Sequence, residues 1–413
     1  MKFLDFLNES VTPYHTVESL KKMFLQEGFV ERKLAEKFPE SENGKFFMIR
    51  GGALIAVKMP SKKTNHAKFR IALAHTDFPA LKISPNPDKA SGGVKKLHTE
   101  VYGSPLFTSW LDRDLGYAGV LVYEKNNCIQ TKPVRGDKLL RIPELAIHMN
   151  RGVNQNGMQV DPQVDFEVLL GCEKLCTENF ASILEREFLT GERLLDFDIQ
   201  LFDAQQAALG GFNDEWIFSG RLDNLCSCHA VAEGLVNAGS CEDICVACFF
   251  NNEEIGSETR EGACGNFLRS ILECTMDATM ISGALSESFA LSIDMAHAVH
   301  PNHAEKHEPN HAPILGGGIV LKMNAQKRYA SDVLSSAKLR LLCEHAGVPL
   351  QTFIMRNDMP CGSTVGPAIS SSLGIPTVDI GEPMLSMHSI REMTAVKDHD
   401  DMIRVVKALF EKN

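Results

Sequence analysis

The sequence predicts an α/β fold, a mostly parallel central sheet flanked by helices and interrupted by a β-rich insertion. Three observations carry that expectation. Four apolar, β-branched-rich runs each end abruptly in a polar cluster: FRIALAHTD from Phe69, ICVACFFNNEE from Ile244, FALSIDMAH from Phe289 and IPTVDIGEPMLSMH from Ile375. Near-continuous apolar runs of this length are what strands buried on both faces look like. Helical patterns lie between them, LCSCHAVAEGLVNA after Asp223 and SDVLSSAKLRLLCEHAG from Ser331, and alternation of the two periods implies parallel strands with crossover helices. The third observation is a change of texture between about Asn86 and Ala204.

In that middle stretch GGVKKLHTEVYGSP, EKNNCIQTKPVRGDK and NRGVNQNGMQVDPQ are rich in charge and turn residues. They read as short strands and loops. The expected organisation is therefore a discontinuous sheet domain, residues 1–85 and 205–413, divided by an inserted β-rich domain, residues 86–204. Cys245 and Cys248 form a C-x-x-C inside ICVACFF, but strand periodicity sends positions i and i+3 to opposite faces, which predicts core thiols rather than a zinc knuckle.

Composition excludes several functions. A chain of 413 residues with 44% hydrophobic content builds a substantial core. Forty-two Lys and Arg stand against 53 Asp and Glu, a net charge of −11, and no basic stripe interleaves with aromatics, so no nucleic-acid partner is expected. No run of about 18 apolar residues appears and the first residues, MKFLDFLNESVTPYH, carry Asp5 and Glu9, which predicts neither a membrane span nor a secretory leader. Twelve cysteines scattered without a disulfide pattern suit a reducing compartment, with the cytoplasm as the default.

In sheets of this type the site lies at the carboxyl ends of the strands. That edge would collect His75, Asp77, Glu253, Glu254, Asp294 and His388, with Asp223 arriving from a helix start in SGRLDNL. Adjacent glutamates beside two aspartates at a buried edge are tolerable only when cations neutralise them, and mixed N and O donors suit zinc or a similar divalent ion. One ion would be overcrowded by five ligands and water. Two ions sharing a bridging carboxylate fit better, and leave one glutamate free as general base. Taken singly each residue has a plainer reading: a structural histidine, a loop cap for Asp294, a helix N-cap for Asp223. Their joint occurrence at strand ends outweighs those. Of the histidines in HAVHPNHAEKHEPNH, His297 is placed to touch substrate and the others read as loop residues. CGSTVG from Cys361 lacks the nucleophile-turn pattern and reads as a backbone cradle for substrate.

HTD at His75, SGRLDN at Ser219, NEEIGSE at Asn252, DMAHAVHPN at Asp294 and MHSIRE at Met387 together resemble the aspartyl aminopeptidases, metallopeptidase family eighteen. EVYGSPLFTSWLDRDLG, RIPELAIHMNR, IVLKMNAQKRYA and RNDMPCGSTVGP extend the likeness over nearly the whole chain. The resemblance implies a zinc-aminopeptidase-like fold and a co-catalytic pair of ions, zinc with cobalt or manganese as alternatives. His75, Asp223 and Asp294 would hold one ion, and Asp223, Glu254 and His388 the other. It implies Glu253 as general base, Asp77 as the carboxylate that orients His75, and Lys322 as the cation meeting an acidic N-terminal side chain. His148 would reach a neighbouring subunit's site, the insertion serving oligomerisation as well as a lid, in a tetrahedral homo-oligomer of twelve subunits. The implied activity is removal of N-terminal Asp or Glu from peptides with a free N-terminus; an aminopeptidase for neutral residues, or a deacylase on the same core, is the alternative.

Overall fold

The computed structural model describes residues 1–36, 44–60, 68–277 and 279–411. These form a mixed α/β architecture with three sheets. The largest runs, in spatial order, through Val30–Glu31, Lys45–Arg50, Ala53–Lys58, Ile244–Phe250, Phe69–His75, Phe289–Ile293, Thr377–Gly381, Ile319–Met323 and Leu350–Ile354. Five of its pairings are parallel and three antiparallel. The four strands from Ile244–Phe250 to Thr377–Gly381 are mutually parallel, so their carboxyl ends share one edge.

These strands are apolar throughout because both faces are covered. Every residue of Ile244–Phe250 is buried. Cys245, Ala247 and Phe249 point into one core with the helices Leu222–Asn237 and Val396–Glu411, while Val246, Cys248 and Phe250 face Phe267–Glu273 and Val365–Leu373. The C-x-x-C thiols thus lie on opposite faces, and all twelve thiols are free. The helix expected from Ser331 runs Val333–Ala346, opened by a capping box between Asp332 and Ser335 and closed by Gly347 at φ 64°, where a residue without Cβ enters the left-handed region most readily.

The second sheet is antiparallel, with six strands in the order Cys128–Arg135, Leu115–Lys125, Arg193–Asp203, Ala80–Ser91, Val94–Tyr102 and Val168–Cys172. It packs its own core, including Trp110, Phe166 and Phe180. Its strands are longer than the short pieces expected: Ala80–Ser91 has 12 residues and Arg193–Asp203 has 11. The cause is one-sided burial, since a strand with a wet face mixes charged with apolar residues and hides its length in the sequence. Ala80–Ser91 also spans residue 86, carrying chain from the central sheet's edge directly into the second sheet.

The third sheet has five short strands, Ala208–Gly210, Trp216–Ser219, Glu392–Ala395, Pro383–Leu385 and Ala296–His297. It divides the run IPTVDIGEPMLSMH, whose first part is the central strand Thr377–Gly381 and whose second is Pro383–Leu385. His388 therefore sits beyond the third sheet's strand rather than at a central strand end. Two features enforce the break: Pro383 has no N–H for a central ladder, and a Cβ at Gly381 would meet the Asp294 carbonyl at 2.1 Å. No helix of the described residues is long and apolar enough to cross a membrane.

Candidate active site

Five chain segments meet at the shared carboxyl edge. His75 ends its strand, and the next residue anchors the turn: Thr76 donates its N–H to Phe250 O at 2.7 Å and its hydroxyl to Gly52 O at 2.6 Å. Asp77 follows, fully buried. Its carboxylate accepts the Tyr102 hydroxyl at 2.7 Å and the backbone N–H groups of Glu253 and Glu254, each at 3.1 Å. Asp77 thereby fixes the turn that presents both glutamates. Toward His75, the shorter contact from Nδ1 runs to the Asp77 carbonyl at 3.0 Å, with the carboxylate at 3.5 Å.

Asp223 is positioned by irregular backbone. Arg221 stands at φ 64°, and Asp223 and Asn224 depart from helical angles at the start of Leu222–Asn237. Asp223 does not cap that helix. Its N–H donates to Glu392 Oε2 at 3.2 Å, and the Asn224 amide donates to Ile293 O at 2.9 Å. One residue beyond that carbonyl stands Asp294, tied by its N–H to Ile380 O at 3.0 Å. His388, at φ 65°, donates its N–H to Glu392 Oε1 at 2.8 Å, while its Nδ1 lies 2.9 Å from Ser104 O.

These anchors aim six side chains inward. His75 Nε2 lies 3.7 Å from Asp223 Oδ1, 3.6 Å from Asp294 Oδ1 and 3.9 Å from Glu253 Oε2. His388 Nε2 lies 3.5 Å from both Asp223 Oδ2 and Glu254 Oε2. Three overlapping sets each bring their donor atoms within 4.8 Å of one another: His75 with Glu253 and Glu254, and two that share Asp223, namely His75 with Asp223 and Asp294, and Asp223 with Glu254 and His388. Asp223 Oδ1 is buried without a hydrogen-bond partner among the described residues.

Excess negative charge shows in the titration. Burial, despite His75 and aided by Asp294, pushes the Glu253 carboxyl up to about 8. Burial and Asp223 push Glu254 well above the carboxylate range, and burial with Asp294 raises Asp223. Glu392 rises to about 8 through burial and Asp223. His388 rises to about 10, burial opposing but Asp223 and Glu254 prevailing. Crowded carboxylates of this kind are stable as anions only beside cations, and the N and O donor set fits zinc.

Lys322 is 3% exposed, so its ammonium is shielded from water. Its Nζ donates to Met295 O at 2.8 Å, stands 3.5 Å from Asp294 Oδ2 and lies over the Tyr329 ring at 5.3 Å. His297 is half-buried next to Phe353, 5.7 Å between rings, and burial with Lys322 lowers its imidazole to about 4. His148 lies exposed in the segment before Val153–Asn156, apart from this cluster. The remaining histidines of the loop bond locally, His307 to the His300 N–H at 3.1 Å and His311 to Glu308 at 2.5 Å. In CGSTVG, Thr364 caps the helix Val365–Leu373 and donates to Asp379 at 2.6 Å.

Three contributors escaped the sequence reading: Glu392, Tyr102 and the Ser104 carbonyl. Glu392 closes the motif MHSIRE, so its spacing four after His388 was visible. Nothing local marks Tyr102 or Ser104, because their role depends on the second sheet folding back onto the first.

A mixed α/β sheet whose carboxyl edge gathers this donor set defines a metal-dependent hydrolase. A sequence profile described as Aminopeptidase I zinc metalloprotease (M18) matches residues 6–410. Aspartyl aminopeptidase 4 of Saccharomyces cerevisiae is 38% identical, covering 100% of this chain and 94% of the relative. The cryo-EM structure of the Ape4 and Nbr1 complex superposes with a TM-score of 0.93 at 33% identity, over 99% of this chain and 84% of that one. The S. cerevisiae mApe1 dodecamer gives a TM-score of 0.86 at 27% identity, over 99% and 95%. The chain belongs to the M18 family of aminopeptidases and is a metallo-aminopeptidase.

Proposed function

We propose that the enzyme removes N-terminal residues, with preference for Asp and Glu, from peptides with a free N-terminus, using two divalent ions. Zinc is the ion of choice, cobalt and manganese being alternatives. His75, Asp223 and Asp294 would hold one ion, Asp223, Glu254 and His388 the other. The observation that carries this reading is the shared Asp223, whose unpartnered buried Oδ1 faces His75 while Oδ2 faces His388. When bound, two such ions acidify water and polarise a carbonyl.

The chain's own residues then divide the work. Glu253, outside the two sets that share Asp223 and raised in pKa by burial, takes a proton from the attacking water and returns it to the leaving amine, so one water is consumed per peptide bond. Asp77 holds the turn that fixes Glu253 and, with its carbonyl, the His75 ring. An ammonium has three N–H donors. Met295 O takes one from Lys322 and Asp294 draws a second, leaving one for the acidic side chain of the substrate. Neutral His297 offers a polar edge close by.

The domain division supports a second role for the insertion. We assign residues 1–85 and 205–413 to catalysis and 86–204 to a lid and oligomerisation unit, in which exposed His148 would reach the site of a neighbouring copy. The dodecamer formed by mApe1 supports a tetrahedral assembly of twelve. Twelve free thiols support a cytoplasmic setting.

A panel of aspartyl, glutamyl and leucyl reporters, each with free and acetylated amines, tests the reading on zinc-reconstituted enzyme. Cleavage of free-amine acidic reporters is expected. Preference for leucyl reporters would overturn the acidic assignment, and preference for acetylated ones the aminopeptidase reading itself.

A further inference from the structure

Beneath the active-site helix lies a second buried donor cluster that the proposed chemistry does not use. Cys226, Glu382 and His399 are each buried, and their ligand atoms fall within 4.8 Å of one another. Cys226 sits one turn after Asp223 on Leu222–Asn237, Glu382 follows the central strand Thr377–Gly381, and His399 belongs to Val396–Glu411.

The hydrogen-bond chain leading to this cluster orients His399. His229 Nε2 lies 3.2 Å from Met1 O, and a carbonyl only accepts, so Nε2 carries a proton. The His229 ring is buried against Phe3 and Phe6 at 4.9 and 5.3 Å, an environment that disfavours a second proton. Its bare Nδ1 therefore accepts from His399 Nε2 at 3.0 Å. His399 Nδ1 faces Glu382 Oε1, also at 3.0 Å, a contact that a proton on Nδ1 or a cation held by both groups would satisfy. The other carboxylate oxygen, Glu382 Oε2, is buried with no hydrogen-bond partner among the described residues.

We propose that Cys226 Sγ, His399 Nδ1 and a Glu382 carboxylate oxygen form a third, structural metal site, for a borderline-soft divalent ion of the zinc class. A single proton between Nδ1 and Oε1 would satisfy that contact but leave Glu382 Oε2 without a geometrically sound hydrogen bond, with the Cys226 thiol beside it. One ion satisfies all three donors, and mixed S, N and O donation is zinc-like. A ligating histidine that donates its other ring N–H to a fixed acceptor is the usual arrangement, and His229 is that acceptor here. The ion would tie the helix bearing Asp223 to the central sheet and the C-terminal helix.

Cobalt(II) reconstitution separates this site from the catalytic one, because the catalytic set holds only nitrogen and oxygen donors. Expected for the full-length protein are three ions per chain and a thiolate-to-cobalt charge-transfer band in the near ultraviolet. Cys226→Ser and His399→Gln should each lose the band and one ion while keeping two. Two ions and no band in the unmodified protein would overturn the third site and leave the two-ion reading intact. A band that persists in Cys226→Ser, belonging then to another thiol, would overturn it as well. Both readouts in the unmodified protein stand whether or not a variant folds.

Discussion

The two histidines of the active site are held in contrasting ways. His75 ends a strand at the centre of the largest sheet, 1% exposed, with its ring anchored two residues away by the Asp77 carbonyl. His388 is 28% exposed at its side chain and lies on a left-handed turn between two strands of the third sheet. Its ring leans on the Ser104 carbonyl, 284 residues distant in sequence and just after the second sheet's strand Val94–Tyr102. One half of the site is built by the sheet that carries it. The other is assembled from three separate parts of the fold, and only Asp223 belongs to both. The half built from distant parts should be the more easily loosened.

Substitution of the shared residue has the largest expected effect. Asp223→Asn replaces a charge that serves both halves with an amide, and should abolish binding of both ions and all measurable turnover. Two ions by elemental analysis of that variant would show the halves to be independent. Next comes Glu253→Gln, which should leave both ions in place while lowering kcat by about 10² to 10⁴, the usual range for a positioned base. Full activity with full ion content would remove Glu253 from its role.

The contrast itself is sharpened by Glu392, which accepts the N–H groups of both Asp223 and His388. In Glu392→Gln the amide NH₂ must face one of those N–H groups. Ion affinity should fall about tenfold to a hundredfold, and the His388 side should empty first under chelator titration. Simultaneous release of both ions would contradict the unequal halves. Lys322→Met touches the His75 side through Asp294, and should lower kcat/KM for acidic reporters about tenfold to a hundredfold while sparing leucyl ones, since a charge-assisted hydrogen bond contributes about 1.5 to 3 kcal/mol. Equal loss on both would make Lys322 structural.

The smallest effect concerns pH. In the ion-free protein Glu253 and Glu392 titrate near 8 against an ordinary 4.5, both raised by burial first. The folded state then holds protons that the unfolded chain releases. This stabilising contribution is complete below about pH 4.5 and is lost as pH rises through about 8. His388, raised to about 10, acts in the same direction. Chelated protein should melt several degrees lower at about pH 9 than at about pH 6, and zinc should shrink the difference. A flat profile after chelation would mean that the cluster is not strained by its own charge.

Much of the fold was legible because it is written locally. The strands Phe69–His75, Ile244–Phe250 and Phe289–Ile293 announce themselves by unbroken apolar runs, and the polar residues that end them, His75, Glu253, Glu254 and Asp294, do converge. The second sheet was recognisable as β-rich but not in its strand lengths, since its wet face dilutes the pattern. The third sheet was invisible, because strands of two to four residues drawn from positions 208 to 395 carry no periodicity.

The sequence by itself determined the buried strands, the charge-ended runs and, through its resemblance, the family. Burial on both faces leaves a composition that depends only on neighbours along the chain. Tertiary structure alone decided that Glu392 braces Asp223 and His388, that Tyr102 and Ser104 reach in from the second sheet, and that Lys322 is buried beside Asp294. Those relations span tens to hundreds of residues, and a hydrogen bond between distant segments exists only once folding has brought both its ends to one place.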